Sequence, residues 1–136
     1  MKIIALVLTY NSEKFIDKVL GGIPKDLFDD IVCSDDGSKD STVQIIEKRN
    51  FKLVKSLKNK GYGANLLRGL KVSFDLNATH VVEIHGDGQY DLNFLPEMFE
   101  KFKENEYKRT LRCNHIFHKK CVDKWFDKFK KINCPI

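Results

Sequence analysis

Hydrophobic positions follow two alternating patterns along the first hundred or so residues. Short, nearly continuous apolar runs (Lys2 to Leu8, Phe28 to Cys33, Phe51 to Val54 and His80 to Ile84) read as strands buried on both faces. Between and after them apolar residues recur at helical spacing: Phe15, Ile16, Val19 and Leu20; Val43, Ile45 and Ile46; Leu66, Leu67, Leu70 and Phe74; Phe94, Leu95, Met98, Phe99 and Phe102. Asn11-Ser12 offers a cap for the first helix and Gly21-Gly22 with Pro24 ends it, while Asp40 or Ser41 can cap the second. Strand–helix alternation predicts an α/β chain: a parallel sheet of about four strands, helices on both faces, joined by right-handed crossovers.

Such a topology brings the carboxyl ends of its strands to one edge, where open parallel sheets bind ligands. Three polar clusters fall there: Thr9-Tyr10-Asn11, Asp35-Asp36-Gly37-Ser38 and His85-Gly86-Asp87. The same residue types are favoured by plain turns, so each cluster alone carries little. Together their carboxylates suit a hard cation such as Mg²⁺ or Mn²⁺, which takes one or two carboxylates plus substrate phosphates. A nucleoside diphosphate is the natural partner. Asn59 to Asn65, with Gly61 and Gly63, adds a glycine loop entering a helix, where backbone can approach a phosphate.

Composition changes the picture in the last thirty or so residues. The chain has 136 residues, 42% hydrophobic and 32% charged, which is a globular composition without a run of roughly 18 apolar residues. Met1 to Leu8 resembles the start of a signal peptide, but it lacks a small-residue cleavage site and runs into Thr9-Tyr10-Asn11, so a cytoplasmic location is expected. Residues 1–105 carry 15 basic and 16 acidic side chains, whereas 106–136 carry 9 and 3. The cysteines divide too: Cys33 stands alone, while Cys113, Cys121 and Cys134 crowd with His115 and His118. A boundary near Asn105 follows, with one domain over 1–105 and a second segment over 106–136. Cys-x-His-x₂-His-x₂-Cys has the spacing of zinc ligands, and Val122, Trp125, Phe126 and Phe129 predict a short helix after it. The surplus lysines there read as a solvated face rather than a nucleic-acid surface, although an anionic membrane face would also attract them.

The first segment resembles the nucleotide-sugar-binding half of a family 2, GT-A-type glycosyltransferase, close to the polyprenyl-phosphate sugar transferases. The residues that carry the likeness are Leu8-Thr9-Tyr10-Asn11 with Glu13, Ser34-Asp35-Asp36-Gly37-Ser38-Lys39-Asp40-Ser41-Thr42, Asn59-Lys60-Gly61-Tyr62-Gly63-Ala64-Asn65 with Gly69, and His85-Gly86-Asp87-Gly88-Gln89-Tyr90-Asp91. The resemblance implies a Rossmann-like sheet and a role in hexosyl transfer. It places Thr9, Tyr10 and Glu13 on the base and ribose, and Asp36 beside Asp35 on the same nucleoside. Gly61 and Asn65 of the glycine loop join the substrate site, and Gln89 lies next to the sugar or phosphate. Asp87 matches the last carboxylate of the family's Asp-x-Asp motif, which holds Mg²⁺ or Mn²⁺ against the diphosphate. His85 stands where many members carry the first Asp of that motif, as a ligand or as a structural residue. A nucleotide sugar is the implied donor, and a lipid phosphate, at the membrane face, a possible acceptor. Members of the family continue further to supply the acceptor pocket and the base, so donor binding without complete catalysis is expected of this chain.

The second segment resembles the later half of a Cys/His-type RING finger. Cys113, His115, His118, Cys121 and Cys134 match its third to seventh zinc ligands, and Trp125 and the Cys134-Pro135 pair match as well. The resemblance implies Zn²⁺ held in incomplete sites and, as the alternative function, a ubiquitin-ligase-type protein-interaction module on an inactive scaffold.

Overall fold

The computed structural model describes residues 1–103, 108–110 and 116–118. It divides into two compact units, Met1–Phe94 and Leu95–Ile136. The first holds β1 (Ile3–Thr9), α1 (Ile16–Gly22), β2 (Asp30–Asp35), α2 (Thr42–Lys48), β3 (Lys52–Lys55), α3 (Tyr62–Asp75) and β4 (His80–His85). All four strands are parallel, in the order β3-β2-β1-β4. The expected α/β sheet is therefore the fold.

β1 is central, and every one of its residues is buried. Its side chains alternate between the two faces of the sheet. Ile4, Leu6 and Leu8 form a core with Val32, against which Leu66, Leu70 and Val72 of α3 pack. On the opposite face Val19 and Leu20 of α1 and Ile46 of α2 are buried. Each aliphatic side chain so buried contributes about 1.5–3 kcal/mol, so the sheet is held mainly by β1.

β2 and β3 end later than the apolar runs suggest. Backbone pairing continues through polar side chains, with Thr9 opposite Asp35 and Asp35 opposite Lys55. The first helix starts at Ile16 instead of the Asn11-Ser12 cap. The Ser12 carbonyl accepts the N–H groups of Phe15 and Ile16, both at 2.9 Å, in a turn that leaves Phe15 half exposed. At α2 the side-chain acceptor is Asp40, whose Oδ1 takes the Thr42 N–H at 3.0 Å and the Thr42 hydroxyl. Ser41 occupies the cap position without a side-chain bond.

In the second unit, α4 (Leu95–Lys103) buries Leu95 and Phe99, and β5 (Lys108–Thr110) pairs antiparallel with β6 (Ile116–His118). Met98, expected on the buried face, is 45% exposed. Cys113, His115, Cys121, Cys134 and the helix expected over Val122 to Phe129 lie outside the described residues. His118 is described only as the last backbone position of β6. Among the described residues no helix is long and apolar enough to cross a membrane.

Candidate functional site

The carboxyl ends of β1, β2 and β4 open onto a cleft of about 240 Å³ in the first unit. Thr9 and Tyr10 line it from β1, Asp36 from β2, His85, Gly86 and Asp87 from β4, and Asn59, Tyr62 and Asn65 from the glycine loop and α3. Six residues expected at a substrate or metal site thus meet in one place: Thr9, Tyr10, Asp36, Asn65, His85 and Asp87. Asp35, Glu13, Gly61 and Gln89 do not line it.

Asp35 is 1% exposed and turned into its own loop. Oδ1 accepts the N–H groups of Gly37 (3.1 Å) and Ser38 (2.9 Å), and Oδ2 accepts the hydroxyls of Thr9 (3.0 Å) and Ser38. Four donors leave it nothing to offer a ligand. It shapes the turn at Gly37, whose φ of +78° and whose closeness to the Lys58 backbone exclude any side chain there.

Asp36 faces the other way and fixes the glycine loop. Its Oδ2 accepts the N–H groups of Lys60 (3.0 Å) and Gly61 (2.7 Å), and Oδ1 is 3.4 Å from an Arg68 guanidinium nitrogen. Arg68 also donates to the Asp35 carbonyl (3.1 Å) and to Asn65 Oδ1 (2.9 Å). Buried Asn65 completes the knot by donating to the carbonyls of Ser34 (3.0 Å) and Thr9 (3.3 Å). Gly61 therefore acts through its N–H on Asp36. Arg68 carries no motif in the sequence, and its place in the knot shows only in three dimensions.

Glu13 lies outside the cleft because its carboxylate accepts the Ser41 N–H at 3.0 Å, while its own N–H binds Asp40 Oδ2 at 3.1 Å. These bonds tie the loop after β1 to the start of α2. Desolvation raises the Asp40 pKa, but hydrogen bonds from Thr42 and Glu13 outweigh it and hold the carboxyl below its ordinary value of 3.8.

At the end of β4, half-buried Asp87 accepts the Gln89 N–H on Oδ1 (3.1 Å), and Oδ2 has no partner among the described residues. Gln89 itself is exposed and meets Asp87 through backbone. Gly86 sits so close to β1 that a Cβ would stand 2.6 Å from Thr9 Cγ2, which sets Asp87 directly at the floor of the cleft. His85 directs Nε2 to Glu83 Oε1 at 2.9 Å. Among the described residues no three His, Cys, Asp or Glu side chains converge as a metal cage. The free oxygen of Asp87 fits a hard cation that completes its shell with ligand phosphates and water.

The sequence matches the family Glycosyl transferase family 2 over residues 4–127. The chain belongs to glycosyltransferase family 2. A relative in Methanococcus voltae, the UDP-N-acetylglucosamine–dolichyl-phosphate N-acetylglucosaminyltransferase, is 33% identical over 107 residues, 65% of this chain and 43% of that protein. The solved S. aureus TarS 1–349 in complex with UDP-GlcNAc superposes with a TM-score of 0.60 at 32% identity, over 76% of this chain and 32% of that one. Glucosyl-3-phosphoglycerate synthase of Mycobacterium tuberculosis, solved with Mn²⁺, UDP and glucosyl-3-phosphoglycerate, shares the fold (TM-score 0.64, 22% identity, 77% of this chain and 40% of that one). The chain spans less than half the length of each of these proteins. A shorter stretch resembles RING-type ubiquitin ligases: RHA2A of Arabidopsis thaliana is 47% identical over 51 residues, 38% of this chain and 32% of that protein.

Proposed function

We propose that this family 2 domain binds a nucleoside diphosphate sugar in the cleft at the strand ends, with a divalent cation between Asp87 and the diphosphate. The observation that carries the reading is the Asp87 carboxylate, held at the cleft floor with one oxygen unengaged, opposite the Asp36-anchored glycine loop. In this reading Tyr10, 46% exposed, meets the nucleoside, Asp36, 2% exposed, acts through the glycine loop it anchors, and Thr9 and Asn65 hold the walls to which these residues belong. When bound, Mg²⁺ or Mn²⁺ would stabilise negative charge on the departing nucleoside diphosphate. TarS and the M. voltae enzyme favour UDP as the nucleotide and an N-acetylhexosamine as the sugar. Donor binding is the part of hexosyl transfer that these residues perform, and a lipid phosphate is the proposed acceptor class.

Thermal shift with UDP, GDP, TDP and CDP, each with Mn²⁺ or chelator, tests this. A ligand of the native state raises the melting temperature by mass action. UDP with Mn²⁺ should raise it, and Asp87→Ala should remove the metal-dependent part without lowering the unliganded melting temperature. No rise with any nucleotide would refute the donor site.

The ubiquitin-ligase likeness favours a second reading for residues 106–136, a zinc-held protein-interaction segment using Cys113, His115, His118, Cys121 and Cys134. It predicts zinc in the purified protein and a melting transition that chelator abolishes. A metal-free protein indifferent to chelator would end it.

A further inference from the structure

Glu83 interrupts an apolar strand, with Val81, Val82 and Ile84 around it. The register of β4 on β1 sets Glu83 opposite Leu6 and His85 opposite Leu8, so both side chains project toward the face covered by α3. Glu83 Oε1 accepts the Tyr62 hydroxyl at 2.7 Å and stands 2.9 Å from His85 Nε2. An ionised carboxylate only accepts, so Nε2 carries the proton in this bond. The Tyr62 and His85 rings lie 5.8 Å apart, and Tyr90 meets His85 edge-on at 5.1 Å.

Tyr62 is flanked by two glycines, Gly61 and Gly63, and a Cβ on either would meet nothing within 4 Å. Packing explains neither glycine, although the left-handed backbone at Gly61 (φ +91°) calls for one, and the tyrosine itself is 56% exposed. The hydroxyl bond is the side chain's polar anchor, beside its ring contact with His85. In keeping with that bond, the Tyr62 phenol is pushed up to about 12, chiefly by the hydrogen bond to Glu83. Tyr62 and His85 both line the cleft, whereas Glu83, exposed on β4, does not.

We propose that Glu83 is a positioning residue of the donor cleft, tying the glycine loop to the strand end that carries Asp87 through Tyr62 and His85. The tie fixes the distance between the wall that meets the ligand and the floor that holds the cation. This rests on the donor reading above. Without the tie, Asp36 still holds Lys60 and Gly61, but nucleotide binding must order the Tyr62 side chain, and the cost of immobilising such a side chain corresponds to a loss in affinity of about three- to tenfold.

The test uses the full chain with Glu83→Ala, Glu83→Gln, Tyr62→Phe and the Glu83→Ala/Tyr62→Phe pair. Two quantities are read: hydrogen exchange of the amides in residues 59–65 without nucleotide, and UDP affinity with Mn²⁺. Glu83→Ala and Tyr62→Phe should each speed exchange in the loop and weaken UDP about three- to tenfold. The pair should be no weaker than Glu83→Ala alone, because that variant already removes the one bond that Tyr62→Phe removes, together with the His85 bond. Glu83→Gln, whose amide oxygen accepts the same two bonds, should recover the protection that Glu83→Ala loses. Unchanged exchange in both single variants, or losses that add in the pair, would overturn the proposal. Absence of UDP binding by the unsubstituted protein would refute the donor reading instead, and the exchange data would then decide the tie by themselves.

Discussion

Asp35 and Asp36 are adjacent, identical in chemistry and opposite in duty. Asp35 serves four donors inside its turn, while Asp36 reaches across to Lys60, Gly61 and Arg68 at the cleft. Asp35→Ala should therefore cost stability, about 2–4 kcal/mol, because it leaves buried N–H and hydroxyl groups unpaired. Asp36→Ala should weaken UDP with or without Mn²⁺, since the glycine loop loses its anchor and Tyr62 with it. Urea unfolding and UDP titration of the two variants separate these effects; a reversed pattern would show that the two carboxylates had been assigned the wrong way round. The sequence marks this Asp pair as a site but does not say which member faces the ligand. That depends on the register of β2 against β1, where Thr9 opposite Asp35 draws the first carboxylate inward. Glu13 illustrates the same limit. Its position near the site is legible, but its side chain is taken by the Ser41 N–H.

Among the elements, α3 departs most from its apolar pattern. Leu66 and Leu70 reach the core as expected, yet Leu67 is 66% and Phe74 57% exposed. The face turned to the sheet includes small or polar Asn65, Gly69 and Ser73, all buried. Reading only large apolar residues misses such a face, because close approach of helix and sheet selects for small side chains. Gly69 shows how close: a Cβ there would lie 2.4 Å from Leu6 Cδ1 and 3.1 Å from Ser34 Cβ. Gly69→Ala gains about 1 kcal/mol of helix propensity but overpacks a buried site, which costs about 1–3 kcal/mol. We expect net destabilisation in urea and weaker UDP binding, as α3 carries Asn65 and Arg68 with it. A stabilised Gly69→Ala protein would mean that the helix stands further from the sheet than described. The strands were more legible than the helices, since β1 is apolar at nearly every position and its burial depends on no particular partner.

At the scale of the molecule, strand–helix alternation was enough to gather three polar clusters on one edge, and the cleft lies there. The knot of Arg68, Asn65 and Asp36 and the tie of Tyr62 to Glu83 were not legible, because each joins residues whose contact exists only once the sheet is formed. The family resemblance sets Gln89 next to the sugar or phosphate, but the residue is exposed and meets Asp87 through its backbone N–H. The match to family 2 runs through residue 127, past the change in charge near Asn105, while the compact units divide after Phe94. The central claim is that a nucleoside diphosphate and a cation meet between Asp36 and Asp87. Amide NMR of the ¹⁵N-labelled chain tests it most directly, because Mn²⁺ broadens signals according to their distance from it. With UDP present, trace Mn²⁺ should broaden Gly86, Asp87 and Gly88 first, while UDP shifts Tyr10, Asp36 and Gly61. Broadening confined to other residues, or no shift on adding UDP, would contradict the account.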